Sequence, residues 1–101
     1  MHTNIIVHGS TATMQMNGRF DFNAHRNFKE AYMDLMQNHT VSVIDIDLAE
    51  VDYMDSSALG MLLMLRDRAQ AVNKNVTLSK PSKTVTQILD IANFSKLFTI
   101  N

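Results

Sequence analysis

The sequence predicts an α/β fold: a mixed, mostly parallel β-sheet of four to five strands with three helices packed on it, in the order ββαβαβαβ. Three observations predict it. Short runs rich in β-branched and apolar residues recur along the 101-residue chain. Three intervening segments carry apolar residues at three- and four-residue spacing. Strand-like runs joined through such a segment are expected to pair in parallel, since a helix is the usual crossover between parallel strands.

Asn4–His8 and Ala12–Met16 are short strand-like runs separated by Gly9, Ser10 and Thr11, a composition that predicts a hairpin turn. Gly18 is expected to end the second run. From Ala24 to Gln37, the residues Ala24, Phe28, Ala31, Tyr32 and Leu35 form one apolar stripe, so this segment reads as an amphipathic helix with Asn23 as its cap. Val41–Leu48 is the best central strand, and Asp45 and Asp47 alternate with its apolar residues, so one face is expected to be only partly covered. Ser57–Val72 reads as the second helix and Val76–Ser79 as a further strand. Pro81 and Ser82 open a third helix whose stripe is Val85, Ile88, Leu89 and Ala92. Leu97–Ile100 closes as a last short strand.

Length and composition set the function classes in play. A chain of 101 residues has room for one core, so one domain is expected over residues 1–101. Hydrophobic residues at 46% and charged residues at 19% suit a globular domain and are too apolar for intrinsic disorder. The net charge of -1, with no run of lysine or arginine, lacks the electrostatic footprint of a nucleic-acid or anionic-membrane binder. The absence of cysteine removes disulfides, thiolate metal sites and a cysteine nucleophile. The N-terminal residues lack the pattern of a signal peptide, and no apolar stretch is long enough to span a bilayer, so a cytoplasmic location is expected.

The second helix is unusual. Ala58, Leu62, Leu65, Ala69 and Val72 share one face and suffice to pack it on the sheet. Leu63 and Met64 fall off that face near Gly60, which suits either a docking surface or coverage by a neighbouring element. Just before the helix stand Asp55, Ser56 and Ser57. By local physics Ser56 or Ser57 caps the helix, and Asp55 adds a favourable negative charge at the positive end of its dipole. A serine at this place is also suited to carry a phosphate, because free amides and the dipole stabilise the added dianion.

The stretch from Leu48 through Asp55, Ser56, Ser57, Ala58 and Leu59 to Gly60, following the strand Val41–Asp47, resembles the signature of the STAS domain, specifically of bacterial anti-sigma factor antagonists. Asn17, Gly18, Arg19, Phe20 and Asp21 resemble the end of the family's second strand, and Val85–Phe98 resembles the passage from third helix to final strand. The resemblance covers nearly the whole chain. It implies that Ser56 is phosphorylated by a partner serine kinase of the histidine-kinase-like ATPase fold that doubles as an anti-sigma factor. It implies a metal-dependent serine phosphatase as a second partner. It also places Asp21, Asp55, Ser57, Ala58, Leu59, Gly60, Leu63 and Met64 at the partner contact surface, with Ser57–Met64 as the recognition helix. Ala58 stands where the family commonly has glycine, and the chain ends at Asn101 where many relatives continue into another helix. An alternative reading from the same resemblance is a constitutive subunit of a membrane transporter or other complex, in which the serine is only an interface residue.

Enzyme readings are weaker. His2, His8, His25 and His39 fall in different elements without a paired metal spacing, so no metal site is assigned. No glycine-rich phosphate loop can be assembled from three glycines, and no cofactor is implied. Ser56 is not in a Gly-x-Ser-x-Gly elbow, which disfavours a hydrolase. Asp45, Asp47, Asp52 and Asp55 cluster around one strand end, where caps and solvated strand edges account for them.

Overall fold

The computed structural model describes residues 2–101. β1 (His2–His8) and β2 (Thr11–Phe20) form the expected antiparallel hairpin. Gly9 in its turn has φ +63°, a left-handed conformation that glycine adopts without a Cβ penalty. A short 3-10 turn at Phe22–Ala24 leads into α1 (His25–Met36), followed by β3 (Val43–Met54), α2 (Ser56–Ala71), β4 (Asn75–Ser79), α3 (Lys83–Ile91), a second 3-10 turn at Phe94–Lys96 and β5 (Thr99–Ile100). The five strands lie in the sheet in chain order, with β1 antiparallel to β2 and every other pair parallel. The α/β class, the element order and the mostly parallel sheet are those the sequence predicts.

All three helices cover one face of the sheet. Ala12, Met14, Ile44, Ile46, Leu48 and Leu78 point into the same buried cluster as Phe28, Tyr32 and Leu35 of α1, Ala58, Leu62 and Leu65 of α2, and Val85 and Leu89 of α3. The other face is polar and half exposed, as the Asp45 and Asp47 alternation predicts. There the Asp45 carboxylate accepts from Thr77 Oγ1 at 2.7 Å and Ser79 Oγ at 2.9 Å, tying β3 to β4 across the open side.

Several element ends differ from expectation, each for a local reason. β2 runs through Gly18 to Phe20 because glycine takes φ +101° there without leaving the ladder. β3 continues six residues past Leu48, through two register shifts against β2, between Gln15/Asn17 and Gly18/Arg19. At each shift β3 contributes one residue more than β2, so its buried positions change from every second residue to Leu48, Val51 and Met54. Asn23 does not cap α1; Asp21 caps the preceding 3-10 turn, its Oδ1 accepting from the Asn23 amide at 3.0 Å. Val72 lies just past α2 and is 45% exposed, so it is not part of the core face. The last strand is shortened to Thr99–Ile100, because Phe94–Lys96 forms a 3-10 turn that buries Phe94. Lys74, buried between α2 and β4, donates its Nζ to the carbonyls of Asn38 at 2.7 Å and Val41 at 2.5 Å, fixing the approach to β3.

Candidate functional site

β2 and β3 are parallel neighbours that end in register at the buried pair Phe20 and Met54, and each is followed at once by an aspartate. The Asp55 amide donates to the Phe20 carbonyl at 3.3 Å, carrying the pairing one residue past the strand end. Asp55 is extended, at φ -110°, and its Oδ1 accepts from the Ala58 amide at 2.9 Å. It is therefore the N-cap of α2, which corrects the expectation that Ser56 or Ser57 fills that role. The first helical bond runs from the Leu59 amide to the Asp55 carbonyl at 3.2 Å. Ser56 is the first residue of the helix, exposed, with its hydroxyl outside the capping bond. The amides of Ser56 and Ser57 precede that bond and sit at the positive end of the dipole.

A family profile described as "Mlab, STAS domain" matches residues 5–99. The chain belongs to the STAS family. It is 45% identical over 93 residues to a STAS-domain containing protein of Pseudomonas aeruginosa strain UCBPP-PA14, an alignment that covers 92% of this chain and 90% of that one. Its fold is that of a putative anti-sigma factor antagonist from Thermotoga maritima, with a TM-score of 0.87 at 17% identity over 97% of this chain and 84% of that one. It is also that of the anti-sigma factor antagonist SpoIIAA in its unphosphorylated form, with a TM-score of 0.82 at 20% identity over 99% of this chain and 88% of that one.

Around Ser56 this STAS domain brings together most of the residues singled out from its sequence. Asp21 and Asp55 lie at adjacent strand ends, both half-buried and both capping a helical turn. Ser57, Leu59 and Leu63 are half-buried, and Gly60 is exposed on α2. A methyl group built on Gly60 would meet nothing within 4 Å, so no contact within the chain demands a glycine there. Met64, 43% exposed, borders a crevice between α1 and α2 lined also by His25, Phe28, Lys29, Tyr32 and Met61, so α1 covers it in part. Ala58 is the exception. It is fully buried, its side chain belongs to the core, and it supports the surface from below instead of forming part of it.

Three neighbours were not assigned to the contact surface from the sequence. Phe22, directly after Asp21, is 72% exposed. Arg19 places its guanidinium 4.1 Å from the ring centre of Tyr53, its partner across the β2–β3 ladder, and pairs with the Asp21 carboxylate at 3.5 Å. The Arg19 side chain is largely exposed, so these contacts orient the Asp21 side more than they stabilise the fold. The signal for Phe22 was the Asp-Phe-Asn sequence, in which a capping aspartate starts a new turn and rotates the next side chain off the strand's inward face.

The other clusters do not converge. Asp45 and Asp47 lie on the open sheet face, Asp52 is exposed, and Asp55 is a cap. Among the described residues no group of three or more histidine, aspartate or glutamate side chains is placed to hold a metal ion, and no helix is long and apolar enough to cross a membrane.

Proposed function

We propose that this STAS domain is a cytoplasmic, non-enzymatic binding regulator of the anti-sigma factor antagonist type, switched by phosphorylation of Ser56. The unphosphorylated form engages a serine kinase of the histidine-kinase-like ATPase fold that also acts as an anti-sigma factor. In the transfer the Ser56 Oγ attacks the γ-phosphorus of ATP, the bond to the β-phosphate oxygen breaks, ADP leaves, and the hydroxyl proton is lost. A metal-dependent serine phosphatase hydrolyses the phosphoserine and restores binding.

The single observation that carries this reading is an exposed serine hydroxyl at the first position of α2, left free because Asp55 has taken the capping role. A hydroxyl used as a cap would have to leave its amide partner to be modified; this one does not. The added charge falls beside the carboxylates of Asp55 and Asp21, so a partner that meets two negative groups in the free form meets a dianion more after modification. Like charge and bulk then act on the partner, and the fold need not change. Family membership and the likeness to SpoIIAA, whose structure is known in unphosphorylated and phosphorylated forms, support the same reading.

Incubating the domain with the serine kinase of its own host and ATP, followed by mass spectrometry of the intact chain and its peptides, is expected to place one phosphate on Ser56. Phosphate found elsewhere, with Ser56→Ala labelled as well as the native chain, overturns the assignment. A chain that is never phosphorylated but co-purifies with a transporter ATPase identifies the constitutive-subunit reading instead.

A further inference from the structure

We propose that β1 is a self-pairing edge, through which two copies of this chain join antiparallel to make one continuous sheet. The sheet has two edges, and they are unlike. β5 is two residues long, and the bonds just beyond it face inward to the β4 side, the Asn101 amide donating to the Leu78 carbonyl at 2.8 Å and the Asn101 carbonyl accepting from the Lys80 amide at 3.1 Å, so brevity is what limits this edge. β1 is seven residues long, HTNIIVH, paired with β2 in unbroken register from His2↔Asn17 to His8↔Thr11.

Edge strands are ordinarily guarded by lysine, proline, a bulge or brevity, because their outer row of amides and carbonyls is a template for another strand. β1 has none of these guards. It carries no lysine, arginine, aspartate, glutamate, proline or glycine, and the two bulges of the sheet lie between β2 and β3. The two-residue turn makes His8 and Thr11 exchange both of their hydrogen bonds, so His2, Asn4, Ile6 and His8 bond inward to β2. The backbone groups of Thr3, Ile5 and Val7 point away. Among the described residues, no backbone hydrogen bond outside the β1–β2 ladder involves residues 2–8.

The occupant that fits is a second copy. A twofold axis at Ile5 sets Ile5 against Ile5 of the second copy and Thr3 against Val7 of the second copy, so all three outward residues on each side exchange bonds. Asn4 then faces Ile6 of the second copy. Ile6 and Val7, 47% and 48% exposed on opposite faces, both gain cover. The same register sets His2 against His8 of the second copy; with histidine counted neutral no formal charge meets a like charge, and a symmetric pairing uses every favourable contact twice. α2 packs on β3 and β4, away from this edge, so the inference is independent of the switch at Ser56.

Sedimentation equilibrium of the full chain, run from micromolar to millimolar concentration, is expected to show the mass doubling from the 11.4 kDa of one chain. Val7→Lys puts a charge on the outer strand, and Val7→Pro removes an amide that points away from β2; both are expected to halve the mass while circular dichroism stays native. Should Val7→Pro fail to fold, Val7→Lys alone gives the readout. A native chain that stays monomeric at every concentration overturns the proposal, as does a dimer that survives Val7→Lys.

Discussion

The amide of Asp55 donates to the carbonyl of Phe20 at 3.3 Å, and this bond carries the β2–β3 ladder one residue past Phe20 and Met54, so that Asp21 and Asp55 start their turns from adjacent positions. Everything at the candidate site follows from that juxtaposition. Each aspartate spends one carboxylate oxygen on a backbone amide, which fixes the chain after it, and the side chains thrown outward are Phe22 from one turn and Ser56 from the other.

The cap comes first among the consequences. Asp55→Ala removes the acceptor of the Ala58 amide and is expected to destabilise the domain by about 1 kcal/mol, whereas Asp55→Asn, which can still accept, loses much less. Urea denaturation of the three proteins measures the difference in midpoint, and equal losses for both substitutions contradict the capping role.

The proposed switch depends on Ser56. Ser56→Asp is expected to weaken kinase binding and Ser56→Ala to preserve it, read by calorimetric titration with the purified kinase. Neither substitution disturbs the cap, so both variants should melt within about 0.5 kcal/mol of the native chain, as exposed sites usually do. Indistinguishable affinities for the two variants would sink the switch.

Gly60 separates packing from binding. With open space where a Cβ would sit, Gly60→Ala should stabilise α2 by about 0.5–1 kcal/mol through the helix propensity of alanine. If the glycine is kept for close approach by a partner, the same change weakens kinase binding while it raises the melting temperature. Opposite signs in the two measurements are the expected outcome.

Phe22 tests the surface beyond the helix. An aromatic ring 72% exposed contributes little to the core, so Phe22→Ala is expected to change stability by less than about 0.5 kcal/mol. Buried at the centre of a complex, the same ring would act as an anchor, and its loss is expected to cost about 2 kcal/mol of binding.

Lys74 tests the frame. Its ammonium satisfies the carbonyls of Asn38 and Val41 from a buried position, so Lys74→Met, which keeps the stem but leaves both acceptors bare, is expected to cost about 1–3 kcal/mol. Guanidinium unfolding monitored at the tyrosines reads it out, and an unchanged midpoint would mean that water replaces the ammonium freely.

The element order, the hairpin, the inward stripes of α1 and α3, the half-covered face marked by Asp45 and Asp47, and the segment that holds Ser56 were all legible in the residues alone. Periodicity carries those directly, because a side chain's face repeats every two residues in a strand and every 3.6 in a helix. The end of β3 is set by its long-range pairing, since two bulges against β2 shift the repeat after Leu48 and a period-two reading sees the strand stop there. The same pairing selects Asp55 over the adjacent serines as the cap, because the bond to Phe20 sets which residue is still extended when the helix begins. The same placement exposed Phe22, buried Ala58 and left Val72 outside the core. These outcomes depend on which strand lies alongside, a long-range relationship that no local spacing encodes.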